Sequence, residues 1–497
     1  WEGVGICSYF LMGFWFEDEK SSKSAMRAFV IDRAASAFLL IGIFLVYAVM
    51  TAAGVTSISD VFAFDKMQEF GAYFIPVASW LSLLIFAAAL IRSAQIPFYM
   101  WLTDISGSPI PVLAIIQTVT VVAAGFYLVA KFNFIFALAP KVLNAVAIIG
   151  AVTAIFGAVV GLLQNNIKRI LGFSTISQAG FMFMAVGVGA TSVAIFHLVT
   201  HSFFKTLLFF AAGSVIAALS GEEDIRNMGG LKKRMPLTTW AFVIAAAALS
   251  GIIPTGGFFS SESILWQVYE RGHIGLWWAG FLCQGLTAFY IFRAAGRIFF
   301  GNTNLSQSEW NRATEAPVSM ALPELMLVTL VFLSGAIGVP TILGGSEYIM
   351  SWLSGVLAYE VGHAPKEGSH TELILMVVTL LWSAHFSILG WIIFAQKRDL
   401  PERLKQKAGR LYKFLETSLY IDWVVDNVFV TPFHWVSKNI LGRVYEGYFL
   451  NNGIILGSVK SAGFASLMLT KLQGKSLQVY VIIMAIALAA AIGIFVL

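Results

Sequence analysis

The 497-residue sequence has few charged side chains and almost no cysteine. Only 12% of its residues are Asp, Glu, Lys or Arg, whereas a soluble domain carries about 25%. The two cysteines, Cys7 and Cys283, lie in apolar stretches, which argues against a disulfide framework and against a ligand set for an iron–sulfur cluster. The sequence contains no glycine-rich dinucleotide or phosphate motif. We therefore expect any redox chemistry to reside on another chain.

Hydrophobic residues make up 58% of the sequence, and the mean hydropathy is +0.80. The apolar runs are continuous and long enough to cross a bilayer as helices. The composition predicts an all-α polytopic membrane protein with about a dozen transmembrane helices. The net charge of +5 is typical of charged loops at a membrane surface and does not indicate a nucleic-acid partner. The first residue, Trp1, already lies in an apolar run, so we expect an N-terminal portion to precede it.

The distribution of charge along the chain predicts three regions. Residues 1–396 form a transmembrane domain, residues 397–475 form a long lateral amphipathic helical arm, and residues 476–497 form a final transmembrane helix. The arm mixes charged and aromatic residues, and we interpret it as too polar to span and too apolar to be a free tail. A string of short interfacial helices is the alternative for this stretch.

Two transmembrane helices are predicted to be broken. Pro97, in SAQIPFYMWL, and Pro254, in IIPTGGFF, each remove a backbone donor within an apolar segment. Broken helices at membrane depth are tolerated where they line a cavity or are buried in protein. The two breaks therefore favour repeated halves with an ion path between them.

The strongest functional pattern lies between these two breaks. His197, His201 and Lys205 follow one another at i, i+4 and i+8, so they share one face of a helix. Ionisable groups within a bilayer are expensive, at roughly 2.5–3.5 kcal/mol each on insertion scales. Their spacing predicts a proton relay, in which each step is short and each carrier can change charge. The alternative is that the three side chains snorkel or cap the helix and serve packing only.

Three further charged residues are candidates for the same path. Glu2, in the first apolar run, is expected to pair with Arg92, which precedes the first break. Arg92 stays protonated, so it can tune a neighbour but cannot cycle a proton. Glu262 follows the second break and is a candidate exit or gating group. The alternatives are a headgroup-facing Glu2, a structural Arg92 and a helix-capping Glu262.

The remaining basic residues in apolar regions receive simpler interpretations. Lys168 and Arg169 lie between two spans and are interpreted as interfacial charges. The i, i+4 histidine pair lacks the neighbouring carboxylate of a zinc site, so no metal is expected. Five isolated histidines are interpreted as non-catalytic: His273, His363, His370, His385 and His434.

Several motifs resemble the antiporter-like membrane subunits of NADH–quinone oxidoreductase, respiratory complex I, and their Mrp-type relatives. They are WEGVGICSYFLMGFWF, RSAQIPFYMWLTD, QNNIKRILGFSTISQAGFMFMAVGVG, IFHLVTHSFFKTLLFFAAGSVI and MPLTTWAFVIAAAALSGIIPTGGFFSSESIL. The C-terminal arm and last apolar run are similar to those of the subunit L (chain 5) type. The resemblance implies an antiporter-like fold over residues 1–396 and a proton-pumping module driven by quinone reduction elsewhere in a complex.

By motif, Glu2 matches the acid of the family's Glu–Lys pair, and His197, His201 and Lys205 match its central relay. The sequence departs from the family pattern at four positions. Arg92 replaces the lysine of the pair, Gln117 replaces a histidine, Ser261 replaces an exit lysine beside Glu262, and Ser36 replaces an aspartate.

These observations lead to one prediction and several alternatives. We predict a proton-translocating complex I subunit with no catalytic, cofactor-binding or metal site of its own, while NADH, FMN, iron–sulfur clusters and quinone belong to partner subunits. Its partners would be other membrane subunits, held by the lateral arm, and lipids. Its location would be the inner (plasma) membrane of a bacterium, with a mitochondrial or thylakoid membrane as the lesser alternative. The alternative functions are a mainly structural subunit, or the membrane subunit of an Mrp-type antiporter, a hydrogenase-linked pump or an inorganic-carbon uptake complex.

Overall fold

A computed structural model describes residues 1–357, residues 370–396 and much of the chain from residue 421 to residue 496. Gaps within the last part fall at residues 426, 429–430 and 473–476, and residues 409 and 415 are described singly. The described residues divide into two units, Trp1–Leu419 and Tyr420–Leu497. Throughout the described ranges the secondary structure is helical, apart from an isolated antiparallel bridge between Asn166 and Asp224.

The helices of the first unit alternate between long spans and short connecting pieces. In chain order they are α1 Glu2–Met12, α2 Glu19–Ala52, α3 Ile58–Val61, α4 Phe64–Glu69, α5 Gly71–Phe74, α6 Ala78–Arg92, α7 Met100–Asp104, α8 Ile110–Thr118, α9 Val121–Lys131, α10 Asn133–Ala137, α11 Pro140–Leu163, α12 Ile167–Gly187, α13 Thr191–Ala218, α14 Pro236–Leu249, α15 Gly256–Glu270, α16 Ile274–Phe299, α17 Gln307–Arg312, α18 Val318–Leu333, α19 Tyr348–Leu353 and α20 His370–Gln396. Short 3₁₀ turns lie at Ile105–Gly107, Leu231–Lys233, Ser334–Gly338 and Thr341–Leu343.

Length and composition make many of these helices able to cross a bilayer. Among the described residues, nine helical stretches meet the requirement, and four shorter apolar helices accompany them. The prediction of an all-α polytopic fold is confirmed. One predicted span differs in detail, because α8 and α9 form a single 22-residue apolar stretch, Ile110–Lys131, that is interrupted at Val119 and Thr120.

Both proline positions interrupt helices as predicted. Residues 93–99 separate α6 from α7, and residues 250–255 separate α14 from α15. The Ile96–Pro97 and Ile253–Pro254 peptide bonds are both cis. Each break frees polar backbone groups inside the bundle, and these are bonded locally, for example from the Gln95 amide nitrogen to the Leu90 carbonyl oxygen at 3.0 Å. This satisfies the requirement that irregular backbone at membrane depth be protected from lipid.

Glycines allow the two central helices to touch along their backbones. At Gly157 of α11, an added Cβ would lie 2.6 Å from the backbone nitrogen of Ser177 in α12, and at Gly180 of α12 it would lie 2.6 Å from the backbone nitrogen of Ala154. Small residues at such a seam let membrane helices approach closely. The most apolar window of α12 is 100% buried, so this helix forms the centre of the first unit.

The histidine-bearing helix α13 packs directly against this centre. It contacts α8, α12, α14, α15 and α18. One face of α13 therefore meets both α12 and the second broken helix. This arrangement removes its ionisable side chains from lipid.

A side-chain cap begins the long helix α2. The Asp18 carboxylate accepts hydrogen bonds from the Ser21 backbone nitrogen at 2.9 Å and from the Ser21 hydroxyl at 2.6 Å. The hydroxyl bond, followed by the backbone bond, holds the pKa of Asp18 below its ordinary value. The cap satisfies a donor that would otherwise lack a partner in the first turn.

The second unit is also helical. It contains α21 Ile421–Val425, α22 Thr431–Val436, a π-helical stretch Ser437–Ile455, α23 Leu456–Leu472 and α24 Leu477–Val496. The helicity predicted for the arm and for the final apolar run agrees with these elements. The stretch Thr431–Lys471 is long and apolar enough to cross a membrane, which differs from the prediction that it is too polar to span. The predicted domain boundaries at 396/397 and 475/476 adjoin or lie within residues outside the described ranges, and they stay predictions.

Candidate functional site

Three ionisable side chains of α13 are buried in the interior of the first unit. The exposed fractions are 1% for His197, 2% for His201 and 0% for Lys205. Their positions follow the predicted spacing of about one helical turn, and the face that carries them meets protein. The arrangement excludes snorkelling as the reason for their presence, because none of the three reaches a surface.

His197 is held between the central helix and the second broken helix. Its Nε2 lies 2.8 Å from Oε1 of Gln178 on α12, and its Nδ1 lies 2.9 Å from the hydroxyl of Ser260 on α15. An amide oxygen only accepts hydrogen bonds, so Nε2 donates to Gln178 and the Ser260 hydroxyl donates to Nδ1. Both ring nitrogens of neutral His197 are therefore satisfied.

His201 lies one turn further along α13, and its ring differs from that of His197 in its hydrogen bonding. Within the described part of the chain, neither of its ring nitrogens has a hydrogen-bond partner, although the residue is only 2% exposed. The centroids of the His197 and His201 rings are 6.2 Å apart, which is too far for a direct hydrogen bond. Buried polar atoms are normally satisfied by protein or water. We therefore expect a water molecule to bridge to His201.

Lys205 lies on the side of His201 away from His197 and is fixed by oxygen acceptors of α12. Its ammonium donates to the Leu171 carbonyl at 2.7 Å and to the Ser174 hydroxyl. In the described ranges no carboxylate lies within ion-pair distance of Lys205. The next residue of α12, Thr175, donates to Oε1 of Gln117 at 3.2 Å, so Gln117 lies beside the lysine end of the row.

At the first break, Arg92 pairs with an acid outside the predicted set of site residues. Its Nε and Nη2 donate to the two carboxylate oxygens of Asp32 at 2.6 Å and 2.7 Å. The Arg92 guanidinium lies 3.8 Å from the centroid of the Trp1 ring and donates to the Trp1 carbonyl at 3.0 Å. The Arg92 side chain is fully buried, and the Asp32 side chain is 11% exposed. Arg92 and Asp32 therefore form a bidentate, buried ion pair, and the Trp1 ring packs against the guanidinium.

The predicted direct Glu2–Arg92 pair is therefore wrong. The carboxylate of Glu2 contacts Arg33, and Arg33 also donates to Asp32 at 2.6 Å. The four residues form one alternating row, Glu2–Arg33–Asp32–Arg92, whose formal charges cancel. The row explains why Glu2 and Arg92 lie in the same neighbourhood without touching. Ser36, one turn after Asp32, accepts a hydrogen bond from the Trp1 indole at 3.2 Å.

At the second break, Glu262 is buried at 4% exposure and faces α16 and α20. It accepts hydrogen bonds from Thr379 at 2.5 Å and from Gln284 at 3.4 Å. The helix that carries it begins at Gly256 after the N-cap Thr255. The capping interpretation is therefore wrong, because Glu262 lies in the second turn. The Ser261 hydroxyl donates to the Phe258 carbonyl of its own helix at 3.2 Å.

The charges at the start of α12 are tied to a loop. Lys168 forms an ion pair with Glu223 at 2.7 Å and donates to the Ser106 carbonyl at 3.0 Å. The Asn166 side chain accepts from the Arg169 backbone nitrogen at 3.1 Å and so caps the helix. These contacts agree with interfacial charges that fix the beginning of the central helix.

Sequence reasoning missed two buried carboxylates, one bonded to α13 and one at the start of α20. Glu324 of α18 is 0% exposed and accepts a hydrogen bond from Ser214 of α13 at 2.6 Å. Glu372, in the first turn of α20, is 7% exposed. Both are single acids in otherwise apolar runs, which is the signal by which they could have been found.

The fold and this site define a polytopic helical membrane protein with ionisable side chains buried at two broken helices and on the helix between them. Residues 1–287 match the family model described as "NADH:quinone oxidoreductase/Mrp antiporter, TM". The chain belongs to this NADH:quinone oxidoreductase/Mrp antiporter family.

Sequence similarity to named proteins supports the same family. The chain is 37% identical over 451 residues to NADH-quinone oxidoreductase subunit L of Pseudomonas aeruginosa, covering 89% of this chain and 68% of the relative. It is 36% identical to the same subunit of Escherichia coli, covering 88% and 68%. It is 32% identical to NAD(P)H-quinone oxidoreductase chain 5 of Picosynechococcus, covering 94% and 72%.

A solved structure shares the fold. A chain of the Mrp complex from Dietzia sp. superimposes with a TM-score of 0.63 at 21% identity. The match covers 100% of this chain, which spans about half (49%) of the length of the Dietzia chain.

Proposed function

We propose that this chain is the proton-translocating, subunit L-type membrane subunit of a bacterial NADH–quinone oxidoreductase. Names of the related proteins and the shared fold support the assignment to such a complex. The site supports proton movement, because titratable groups lie one helical turn apart in a buried row. The proton path comprises the row of Glu2, Arg33, Asp32 and Arg92, then Lys205, His201 and His197, and finally Glu262.

The single observation that carries this proposal is the state of His201. It is buried between His197 and Lys205, and its ring nitrogens have no partner in the described residues. A side chain that only packed a helix would be replaced by an apolar residue at lower desolvation cost. An imidazole that exchanges protons with water needs open nitrogens, and His201 has them.

Each group in the path has a separate role. Lys205 and His201 exchange protons through water, since a lysine and a neutral imidazole act as donor and acceptor. Arg92 keeps its charge and acts on its neighbours through the field of its pair with Asp32. Glu262 receives the proton on the far side of His197, where the Ser260 hydroxyl joins α15 to the ring. A positive charge on His201 opposes one on Lys205, so protons move through this stretch one at a time.

In this proposal the redox groups belong to other subunits. NADH, FMN, iron–sulfur clusters and quinone would be bound by partner chains, and this chain would contribute no cofactor ligand. Its partners are the other membrane subunits, which the arm from residue 397 to residue 475 would hold together. The assembly lies in the inner membrane of a bacterium, which agrees with the bacterial sources of the relatives.

A second candidate function is a mainly structural subunit of the same complex. Three positions favour it, because Arg92, Gln117 and Ser261 place non-cycling side chains where the family resemblance implies lysine or histidine. Water between the remaining groups could still carry protons past these positions.

The deciding experiment compares two histidine variants of the purified complex in proteoliposomes. His201→Ala removes the open imidazole, whereas His385→Ala removes an exposed histidine of α20 and serves as the matched control. We expect His201→Ala to lower the number of protons moved per NADH oxidised, and His385→Ala to leave it unchanged. An unchanged ratio for both variants, with normal subunit content, would favour the structural role.

A further inference from the structure

A small cavity connects Glu262 to the beginning of α20. It lies between α15, α16 and α20, has room for about one water molecule, and is lined by Glu262, Leu265, Trp266, Trp277, Glu372, Leu375, Met376 and Thr379. Two carboxylates, Glu262 and Glu372, thus line the same space from different helices. Two buried acids in one cavity are expensive unless they share a proton or a polar partner.

One wall of the cavity provides an independent sign that it binds water. Trp277 lines the cavity and is 5% exposed, and its indole nitrogen has no hydrogen-bond partner in the described residues. A buried indole N–H donates only, so the missing partner must be an acceptor. A water in the cavity would accept that bond and keep two hydrogens for the carboxylates of Glu262 and Glu372, which line the same cavity. The cavity therefore offers one donor and two carboxylate acceptors, within the two to four polar partners that a buried water needs.

The helix α20 places its polar residues along this wall. Glu372, Met376 and Thr379 follow at i, i+4 and i+7 and so share one face. Thr379 donates to Glu262 at 2.5 Å, which fixes one end of the cavity at the second break. The backbone position of Glu372 lies about two turns before that of Thr379, which is roughly 10 Å along the helix axis at 1.5 Å per residue.

The acids near the start of α20 continue this polar line. Glu270 at the end of α15 and Glu347 before α19 interact electrostatically with Glu372, and both are partly exposed. Glu347 accepts a hydrogen bond from the Thr341 backbone nitrogen at 3.3 Å, which holds it on the short turn beside α19. A negative field at this position draws protons outward from a buried carboxyl group.

We propose that Glu372 is a proton carrier that links Glu262 to the aqueous face at the start of α20 through one water bound by Trp277. Protonated Glu262 transfers its proton to the water oxygen, and the water transfers another of its protons to the Glu372 carboxylate. Glu262 is then ionised, Glu372 is protonated, and the water molecule is regenerated. The inference rests on the proposed function, because it supplies the next carrier beyond Glu262.

The test measures proton flux in proteoliposomes that contain the whole complex. Glu372→Gln keeps the size of the side chain but cannot carry a proton, Glu372→Asp keeps the carboxylate, and Glu17→Gln is the control on an exposed acid outside the proposed path. We expect Glu372→Gln to lose the same part of the flux as His201→Ala at equal subunit content. We expect Glu372→Asp to restore flux and Glu17→Gln to leave it close to the wild-type value.

Trp277→Phe provides a second variant that does not touch a carboxylate. It keeps an aromatic ring in the wall and removes only the N–H that binds the water. A partial loss of flux is expected, smaller than that of Glu372→Gln. If Glu372→Gln reduces subunit content, the comparison of Glu372→Asp with Trp277→Phe decides, and wild-type flux in Trp277→Phe would overturn the proposal.

The outcomes separate this inference from the function on which it rests. If His201→Ala lowers flux and Glu372→Gln does not, the complex pumps through this subunit by another outlet, and the role of Glu372 is refuted alone. If neither variant lowers flux, the proposed function fails and the inference fails with it.

Discussion

Substitution of Asp32 gives the sharpest test of the charge arrangement at the first break. The Arg92 guanidinium is fully buried and is bonded at 2.6 Å and 2.7 Å to Asp32. Asp32→Asn removes the negative charge and leaves the guanidinium with neutral partners, namely one amide oxygen of the new side chain and the carbonyl and ring of Trp1. Removal of one partner of a buried pair typically costs about 3–5 kcal/mol. We expect a cost at the lower end of that range, because the Asp32 side chain is 11% exposed and therefore not fully desolvated.

A double-mutant cycle isolates this interaction from effects of each side chain alone. Asp32→Leu and Arg92→Met remove one charge each, and the double variant replaces the pair with apolar groups of similar volume. Residues in direct contact show coupling energies of about 0.5–3 kcal/mol. We expect each single variant to be strongly destabilised and the double variant to recover most of the loss. Thermal unfolding of the purified complex, followed by loss of this subunit, measures the effect.

Glu2→Gln is the control for the corrected pairing. Glu2 contacts Arg33, and its side chain is 52% exposed, so its removal should cost at most about 1 kcal/mol. Equal destabilisation by Glu2→Gln and Asp32→Asn, or simple additivity of the Asp32 and Arg92 variants, would refute the Asp32–Arg92 pairing.

Two glycine predictions test how closely helices approach. Gly5→Ala should disturb the ion pair and lower stability, because the new methyl would lie 2.9 Å from Nη2 of Arg92. Gly3→Ala, on the same helix, meets nothing within 4 Å and should be neutral. Thermal unfolding compares the two variants, and equal stability would contradict the packing of α1. Gly157→Ala should cost about 1–3 kcal/mol by overpacking, since its Cβ would lie 2.6 Å from the α12 backbone. In Gly161→Ala, the control, the new Cβ meets its nearest atom at an ordinary 3.5 Å. Tolerance of Gly157→Ala would show that α11 and α12 pack less closely than described.

The sequence was most informative where spacing and chemistry agreed. His197, His201 and Lys205 recur with the period of a helix, so their common face follows from helix geometry alone. The burial of that face follows from the expense of ionisable groups in lipid. The breaks at Pro97 and Pro254 follow from the missing backbone donor.

Long-range partners could not be read from the sequence in the same way. Glu2 and Arg92 were paired because a carboxylate in an apolar run needs a basic partner and because the family resemblance matches the two positions to one Glu–Lys pair. The fold instead places Asp32 against Arg92, since α2 packs on α6, and Arg33 then neutralises Glu2. Which of two neighbouring acids meets a given arginine depends on helix rotation, which a sequence does not fix.

The second break shows the same limit. Glu262 resembled a capping residue because serines surround it, but the helix starts earlier, at Gly256. Its actual donor, Thr379, lies 117 residues away on α20. The cavity with Glu372 depends on that tertiary contact, and a single acid at a helix start carries no such information alone.

The central claim, that protons cross the membrane along the buried row of α13, is tested most directly at Lys205. Lys205→Met keeps the length of the side chain and removes the only charge bonded to Leu171 and Ser174 in the described structure. The measurement is the number of protons moved per NADH oxidised by the reconstituted complex. We expect a lower number for Lys205→Met than for the wild type at equal subunit content. The same number in both complexes would contradict the claim.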